Sequence, residues 1–395
     1  MLAIMRRVTL GLCLGFFSGA WLYAQGVDVG GERRTELEGN LKSFLGEPIL
    51  LKQQLFSDER FPNLVVAMDG SLVATWGVKS VRVRRSEDAG KTWGQTIAVG
   101  TGIHGGGVIV DETTGDLLVF IHPQHPPRDS SAAPRTMYRS TDYGKTWSAE
   151  AAQFLPDENE KIPSLHMSEH GITLRRNLHA GRLIRPARVY HRPKGYNTAI
   201  YSDDGGKTWK PSAPFPEEGT GEGTLVELSD GRLYYNSRVH WPDATKPTRR
   251  RSAWSTDGGT TWTDWRIIDV LPDGRQDRAY GCMGGLCRLP VRDKDILIFS
   301  NLDTPRAERE RITVWASFDG GNSWPVKRLV HDGPSAYSSL AAGRPGTPSE
   351  GQIYLFYEGS GGQIARFNLA WLNEGTETGD GKVPPWVFGE VSNKP

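Results

Sequence analysis

Three short segments concentrate the side chains that could do chemistry. Arg60-Phe61-Pro62 places a guanidinium just ahead of the run Asn63–Ala67 and a turn at Gly70. A planar guanidinium grips a carboxylate through two parallel, charge-assisted hydrogen bonds. The segment Gly221-Glu222-Gly223-Thr224-Leu225-Val226-Glu227-Leu228 carries carboxylates, and Asn236-Ser237-Arg238 beyond it adds a second guanidinium. The third, Pro334-Ser335-Ala336-Tyr337-Ser338-Ser339-Leu340, presents a phenol and is followed by Tyr357-Glu358. A phenol titrates at ~10, so Tyr337 becomes a nucleophile only beside a base. His104, in Gly102-Ile103-His104-Gly105-Gly106, and His166 and Glu169, in Ser164–His170, add groups suited to proton transfer.

These residues need a scaffold that brings distant segments together, and an internal repeat supplies one. The octapeptide Ser-x-Asp-x-Gly-x-(Thr/Ser)-Trp occurs five times, at Ser86–Trp93, Ser140–Trp147, Ser202–Trp209, Ser255–Trp262 and Ser317–Trp324. The starting serines lie 54, 62, 53 and 62 residues apart, which suits one four-stranded propeller blade with variable loops. Ser and Asp bond loop backbone, Gly takes a positive φ, and Trp buries a large ring between sheets. Asp88, Asp142, Asp204, Asp257 and Asp319 are therefore expected to be turn formers rather than catalysts. Flanking segments such as Val81-Arg82-Val83-Arg84 and Ile312-Thr313-Val314-Trp315 read as strands. A strand pair at Gln352–Glu358 and Ala365–Trp371 has no repeat of its own. A segment near Ile49–Phe56 would complete that sheet, close the ring and give six blades. The expected class is all-β, a six-bladed propeller.

The octapeptide resembles the Asp-box of sialidases, and the resemblance extends over roughly residues 50–372. It implies an exo-glycosidase for a terminal sialic acid or related 2-keto-3-deoxy sugar acid. Arg60, Arg238 and Arg309 would hold the substrate carboxylate; Arg309 comes from counting back from Ser317, with Arg306 and Arg311 as nearby registers. Tyr337 would be the nucleophile, Glu222 its base, and Glu358 the support of Arg60, while Glu227 stays structural. The anomeric carbon of such a sugar bears a carboxylate, which repels an anionic nucleophile but not a neutral phenol.

At one place the sequence departs from the family. Sialidases present an acid/base Asp on the first blade's loop, but here that loop is Gly77-Val78-Lys79-Ser80, without an acid. His104 is the first candidate to replace it, with His166 and Glu169 as the other pair. Arg182–Pro186 resembles a pocket-lining segment, so Arg185 and Arg188 are expected at substrate hydroxyls or a second charge. Tyr280–Gly285 resembles a pocket-wall strand. A glycan-binding propeller without turnover, an inverting or histidine-assisted glycosidase, and an assembly scaffold are the alternatives.

Composition narrows the field. With 47 basic and 46 acidic residues, nothing points to a nucleic-acid or membrane-surface protein. Residues 1–24 read as a signal peptide, with Arg6 and Arg7 before a mostly apolar Val8–Tyr23 and a small residue at Ala24. The expected product is secreted or periplasmic, without a membrane span after cleavage. Residues 25–48 would be a lead segment, 49–372 the propeller, and 373–395 a loose polar tail. Cys282 and Cys287 would be either a short-loop disulfide or two buried thiols. No metal or organic cofactor is implied, since arginines can supply the electrostatic stabilisation.

Overall fold

The computed structural model describes residues 37–126, 134–166, 169–190, 194–273, 281–304 and 308–388. The expected signal peptide, Arg306 and Tyr280 lie outside them. Six sheets follow one another along the chain, antiparallel except where Gln153–Phe154 runs parallel to Thr208–Pro211. Their inner strands begin at Asn63, Ile109, Ile172, Thr220, Gly285 and Ser338. Val66, Val110, Ile172, Val226, Cys287 and Ala341, one residue from each, line a single axial cavity of about 150 Å³. That shared lining makes the molecule a six-bladed propeller.

The sixth blade joins Ser338–Ala342, Ile353–Gly359 and Gly361–Phe367 to Leu50–Phe56, which runs antiparallel to Gly361–Phe367. Pairing the first described strand with Gly361–Phe367 closes the ring within one blade and covers the edge that Gly361–Phe367 would otherwise leave open. Each Asp-box links the third and fourth strands of its blade and is built as its composition requires. In the first copy Asp88 accepts from Lys91 N (3.0 Å), Thr92 N (2.9 Å) and the Thr92 hydroxyl (2.6 Å), while Gly90 N donates to Ser86 Oγ. These bonds favour the charged carboxylate, led by that from Thr92, and lower Asp88 to about 2. The aspartates are turn formers.

The box tryptophans are not equivalent. Trp209, Trp262 and Trp324 are buried, whereas Trp93 and Trp147 are half-buried. Trp209 seals the second blade to the third, with its ring centroid 5.5 Å from Phe120 and 6.4 Å from Phe154. The strand Ser80–Ser86 alternates as expected, burying Val81 and Val83, but Ile312–Trp315 is buried throughout. A blade covered by neighbours on both faces needs no polar side.

The segment after Leu372 is not the loose tail its composition suggests. Thr376–Glu377 adds a fifth strand to the fifth blade, Asp380 accepts from Trp324 N, and Val387 is fully buried. The two cysteines are free thiols. Burial pushes Cys282 up to about 12 and Cys287 up as well, so both are protonated near neutrality.

Trp209→Ala removes a fully buried ring at a blade junction and is expected to cost about 3–5 kcal/mol. Urea unfolding should show a lower midpoint; an unchanged midpoint would mean that the ring does not seal the junction.

Candidate active site

All second-to-third strand loops and the starts of all inner strands lie at the same end of the blades. Tyr337 precedes the inner strand Ser338–Ala342, with its backbone held by the Glu358 N–H (2.9 Å). Glu222 lies in Thr220–Glu227, and Arg238 is next to last in the partner strand Leu233–Val239, opposite Gly221. Register slips by one residue at Glu222, which has φ +64°. Such a bulge re-aims a side chain. The flanking glycines leave the needed space: a Cβ at Gly223 would sit 2.4 Å from the Tyr235 ring, and one at Gly221 3.1 Å from His240.

The bulge delivers the Glu222 carboxylate to Tyr337. The phenol donates to Oε1 at 2.7 Å, and Arg238 Nη1 donates to Oε2 at 2.5 Å. Arg188 Nη1 and His240 Nδ1 stand 3.6 and 3.8 Å from Oε1. Burial alone would raise the Glu222 carboxyl, but Arg238, His240 and Arg188 outweigh it and hold it well below the usual range. Burial and the Glu222 charge push the Tyr337 phenol up, against Arg238. The two groups share one proton as a coupled pair.

The expected arginines surround the same phenol. Arg60 is clamped by Glu358 through Nε (3.1 Å) and Nη2 (2.9 Å), and its guanidinium carbon lies 5.3 Å from the Tyr337 ring centre. That of Arg309 lies 5.4 Å away, with Nη2 bonded to Gly281 O. Arg311, the alternative register, instead pairs with Asp332. Buried Arg188 and Arg250 add positive charge, and buried Asp273 adds negative charge. Five guanidiniums thus face Glu222, Glu358 and Asp273, an excess that suits an anion. Arg188 Nε and Nη1 and Arg238 Nε are buried without a hydrogen bond. Tyr337, Glu222, Arg60, Arg238, Arg309 and Glu358 are therefore brought together.

Three other expected residues have different positions from those foreseen, while a fourth, His166, reaches the site. His104 is fully buried; Nδ1 accepts from Gly106 N (3.1 Å), so Nε2 carries the proton to Thr75 Oγ1 (2.7 Å). Burial, helped by Arg185 and His122, lowers it to about 3. It is a neutral structural residue rather than a proton donor. Arg185 is likewise sequestered, donating to the carbonyls of Gly105, Gly106, Gly107 and Leu165 instead of facing a substrate. Glu169 joins blades: it accepts from Ser339 Oγ (2.7 Å), Leu340 N and Asn63 Nδ2, while its own N–H donates to Gly223 O. His166 does reach the site, edge-on to Phe61 at 5.6 Å, but it is buried.

With that geometry in place, similarity to known proteins becomes informative. Residues 64–355 match the BNR repeat-like domain. The chain belongs to the sialidase superfamily of BNR-repeat propellers. It is 32% identical to a sialidase of Micromonospora viridifaciens, over 89% of this chain and 57% of that protein. A Bacteroides fragilis sialidase is 29% identical over 69% of this chain and 55% of its own length. The chain thus spans just over half of either relative. Among solved structures, the Hadza microbial sialidase Hz136 is 25% identical, with a TM-score of 0.61 over 79% of this chain and 66% of its own.

In this superfamily member, His240, Trp241, Tyr190 and His125 also edge the site, although no local motif marks them. His240 and Trp241 directly follow the Arg238 strand, which is the one signal that could have found them.

The folded state keeps His104 and His122 neutral down to about 3, whereas an unfolded chain protonates them below about 6.5. Stability from these groups is complete above that value and lost as the pH falls from 6.5 toward 3, at roughly 1.4 kcal/mol per unit per group. His104→Gln should flatten the fall of the urea midpoint between pH 6 and 4 by one proton's worth; an unchanged slope would contradict this.

Proposed function

We propose that the chain is an exo-acting, retaining glycosidase that releases a terminal sialic acid or related 2-keto-3-deoxy sugar acid from a glycan. One observation carries the reading: the 2.7 Å hydrogen bond from Tyr337 to buried Glu222, set among Arg60, Arg238 and Arg309. A site that only bound an anion would need the arginines but not a phenol paired with its base.

The chemistry follows from the charges. The substrate carboxylate enters the arginine cluster and orients the anomeric carbon above Tyr337. Its negative charge offsets part of the field that makes Glu222 a weak base, so the proton affinity of Glu222 rises as substrate binds. Glu222 then takes the phenol proton as Tyr337 Oη bonds to the anomeric carbon and the glycosidic C–O bond breaks. The arginines stabilise the phenolate character that develops. Water later displaces Tyr337, which regains its proton from Glu222. Two displacements give retention. The similarity to proteins named sialidases supports the same substrate class.

The shortened loop at Gly77–Ser80 favours a second reading, a glycan-binding propeller without turnover. Release of a fluorophore from its α-sialoside separates the two. Tyr337→Phe should lower turnover at least about 100-fold while still binding the sialoside, and proton NMR should detect the retained anomer first. Negligible turnover by both proteins with binding intact would establish the second reading, and an inverted first product would overturn the double displacement.

A further inference from the structure

The glycosidase reading leaves one demand unmet: the departing oxygen needs a proton. Among the described residues the nearby carboxylates are all engaged. Glu222 bonds Tyr337 and Arg238, Glu358 bonds Arg60, and Glu169 bonds Ser339, Leu340 and Asn63. Asp273 accepts from Val239 N and faces Arg250. Glu59 Oε2 accepts from Val78 N and Lys79 N and so pins down the shortened first-blade loop.

The histidines are next. His104 has both nitrogens bonded and is buried; His122 is buried with Nδ1 on Pro134 O; His170 is held by Glu169. His240 stands against Glu222, on the side of the nucleophile and its base, whereas a leaving group departs from the opposite face of the ring.

His125 differs from all of these. It is exposed, in the second-blade loop that leaves the strand Leu117–His122. This loop is the topological counterpart, one blade on, of the first-blade loop that lacks an acid. Its Nδ1 donates to Pro126 O at 2.7 Å, so Nε2 is the nitrogen that gains and loses a proton. Ring contacts tie it to the site from both directions. His125 meets His166 at 4.4 Å, His166 meets Phe61 at 5.6 Å, and Phe61 stacks on Tyr337 at 5.9 Å. The other way, His125 meets Tyr190 at 6.3 Å, Tyr190 meets Trp241 at 6.1 Å, and Trp241 meets His240 at 4.4 Å. These contacts close a circuit through the Tyr337–Glu222 pair, with His125 and Glu222 at opposite points of it.

We infer that His125 is the general acid/base of the proposed reaction, taking the place of the missing first-blade acid. His166, Tyr190 and His122 are its titratable neighbours, and Arg188 lies beneath Tyr190. Burial, with Arg188 and the neighbouring histidines, keeps His166 neutral, so it adds no like charge beside a protonated His125. In the first step the electron pair of the glycosidic C–O bond leaves with oxygen, which takes the Nε2 proton and departs as an alcohol. In the second, neutral Nε2 takes a proton from water as the water oxygen bonds to the anomeric carbon and Tyr337 leaves.

The inference rests on the glycosidase reading, and two leaving groups separate their failures. A 4-nitrophenyl sialoside departs without a proton, whereas sialyllactose requires one. His125→Ala should lower kcat/KM for sialyllactose by roughly 100-fold or more, yet leave the pre-steady-state burst of 4-nitrophenol within about fivefold of wild type. Added azide should restore turnover of the nitrophenyl substrate. His240→Ala, beside Glu222, should slow both substrates alike. Equal loss on both substrates in His125→Ala, or loss on neither, at an unchanged melting temperature, would overturn His125. Turnover of neither substrate by wild type would overturn the glycosidase reading itself.

Discussion

The site depends on one buried carboxylate. Glu222 is 2% exposed, and a charge in that position persists only if it is paired and hydrogen-bonded. Its partners come from three blades: Arg238 and His240 from the fourth, Arg188 from the third, and Tyr337 at the start of the sixth. Its backbone is held at φ +64° within a bulge, a conformation that a glutamate adopts only where the surroundings compel it. Removing the carboxylate would leave two buried guanidiniums without their counter-charge and the phenol without a base.

The propeller makes this convergence possible. The inner strands begin at one end of a common axis, so residues distant in sequence meet within a few ångströms. Beneath the site, Glu169 ties Asn63 of the first blade, Gly223 of the fourth and Ser339 of the sixth to the third. Arg185 gathers the carbonyls of Gly105, Gly106 and Gly107 in the same way. The reactive layer therefore stands on a polar layer that fixes the blades against one another, which is what pre-organised electrostatics requires.

Much of this was legible in the sequence. The Ser and Asp bonds that shape each Asp-box turn fall within four residues, so spacing revealed five blades, and the strand pair near the C-terminus with the segment near Ile49–Phe56 revealed the sixth. Arg60, Glu222, Arg238, Tyr337 and Glu358 were legible because each sits in its own short motif. What could not be read depends on burial and distant partners. His104 and Arg185 have the side chains of a site but lie beneath it, bonded to Thr75 and to backbone. The rim of His125, Tyr190, Trp241 and His240 is assembled from three loops with no shared pattern. The segment after Leu372 has the composition of a tail, yet an edge strand of the fifth blade was open to it.

The central claim is that Tyr337 bonds to the sugar. It can be tested with a 2,3-difluorinated sialic acid, whose fluoride leaves without a proton and whose second fluorine slows release of the intermediate. Intact-protein mass spectrometry should show one added glycosyl group, mapped by peptide fragmentation to Tyr337 and absent in Tyr337→Phe. A protein that turns over sialosides yet forms no adduct, or forms one on another residue, would contradict the account.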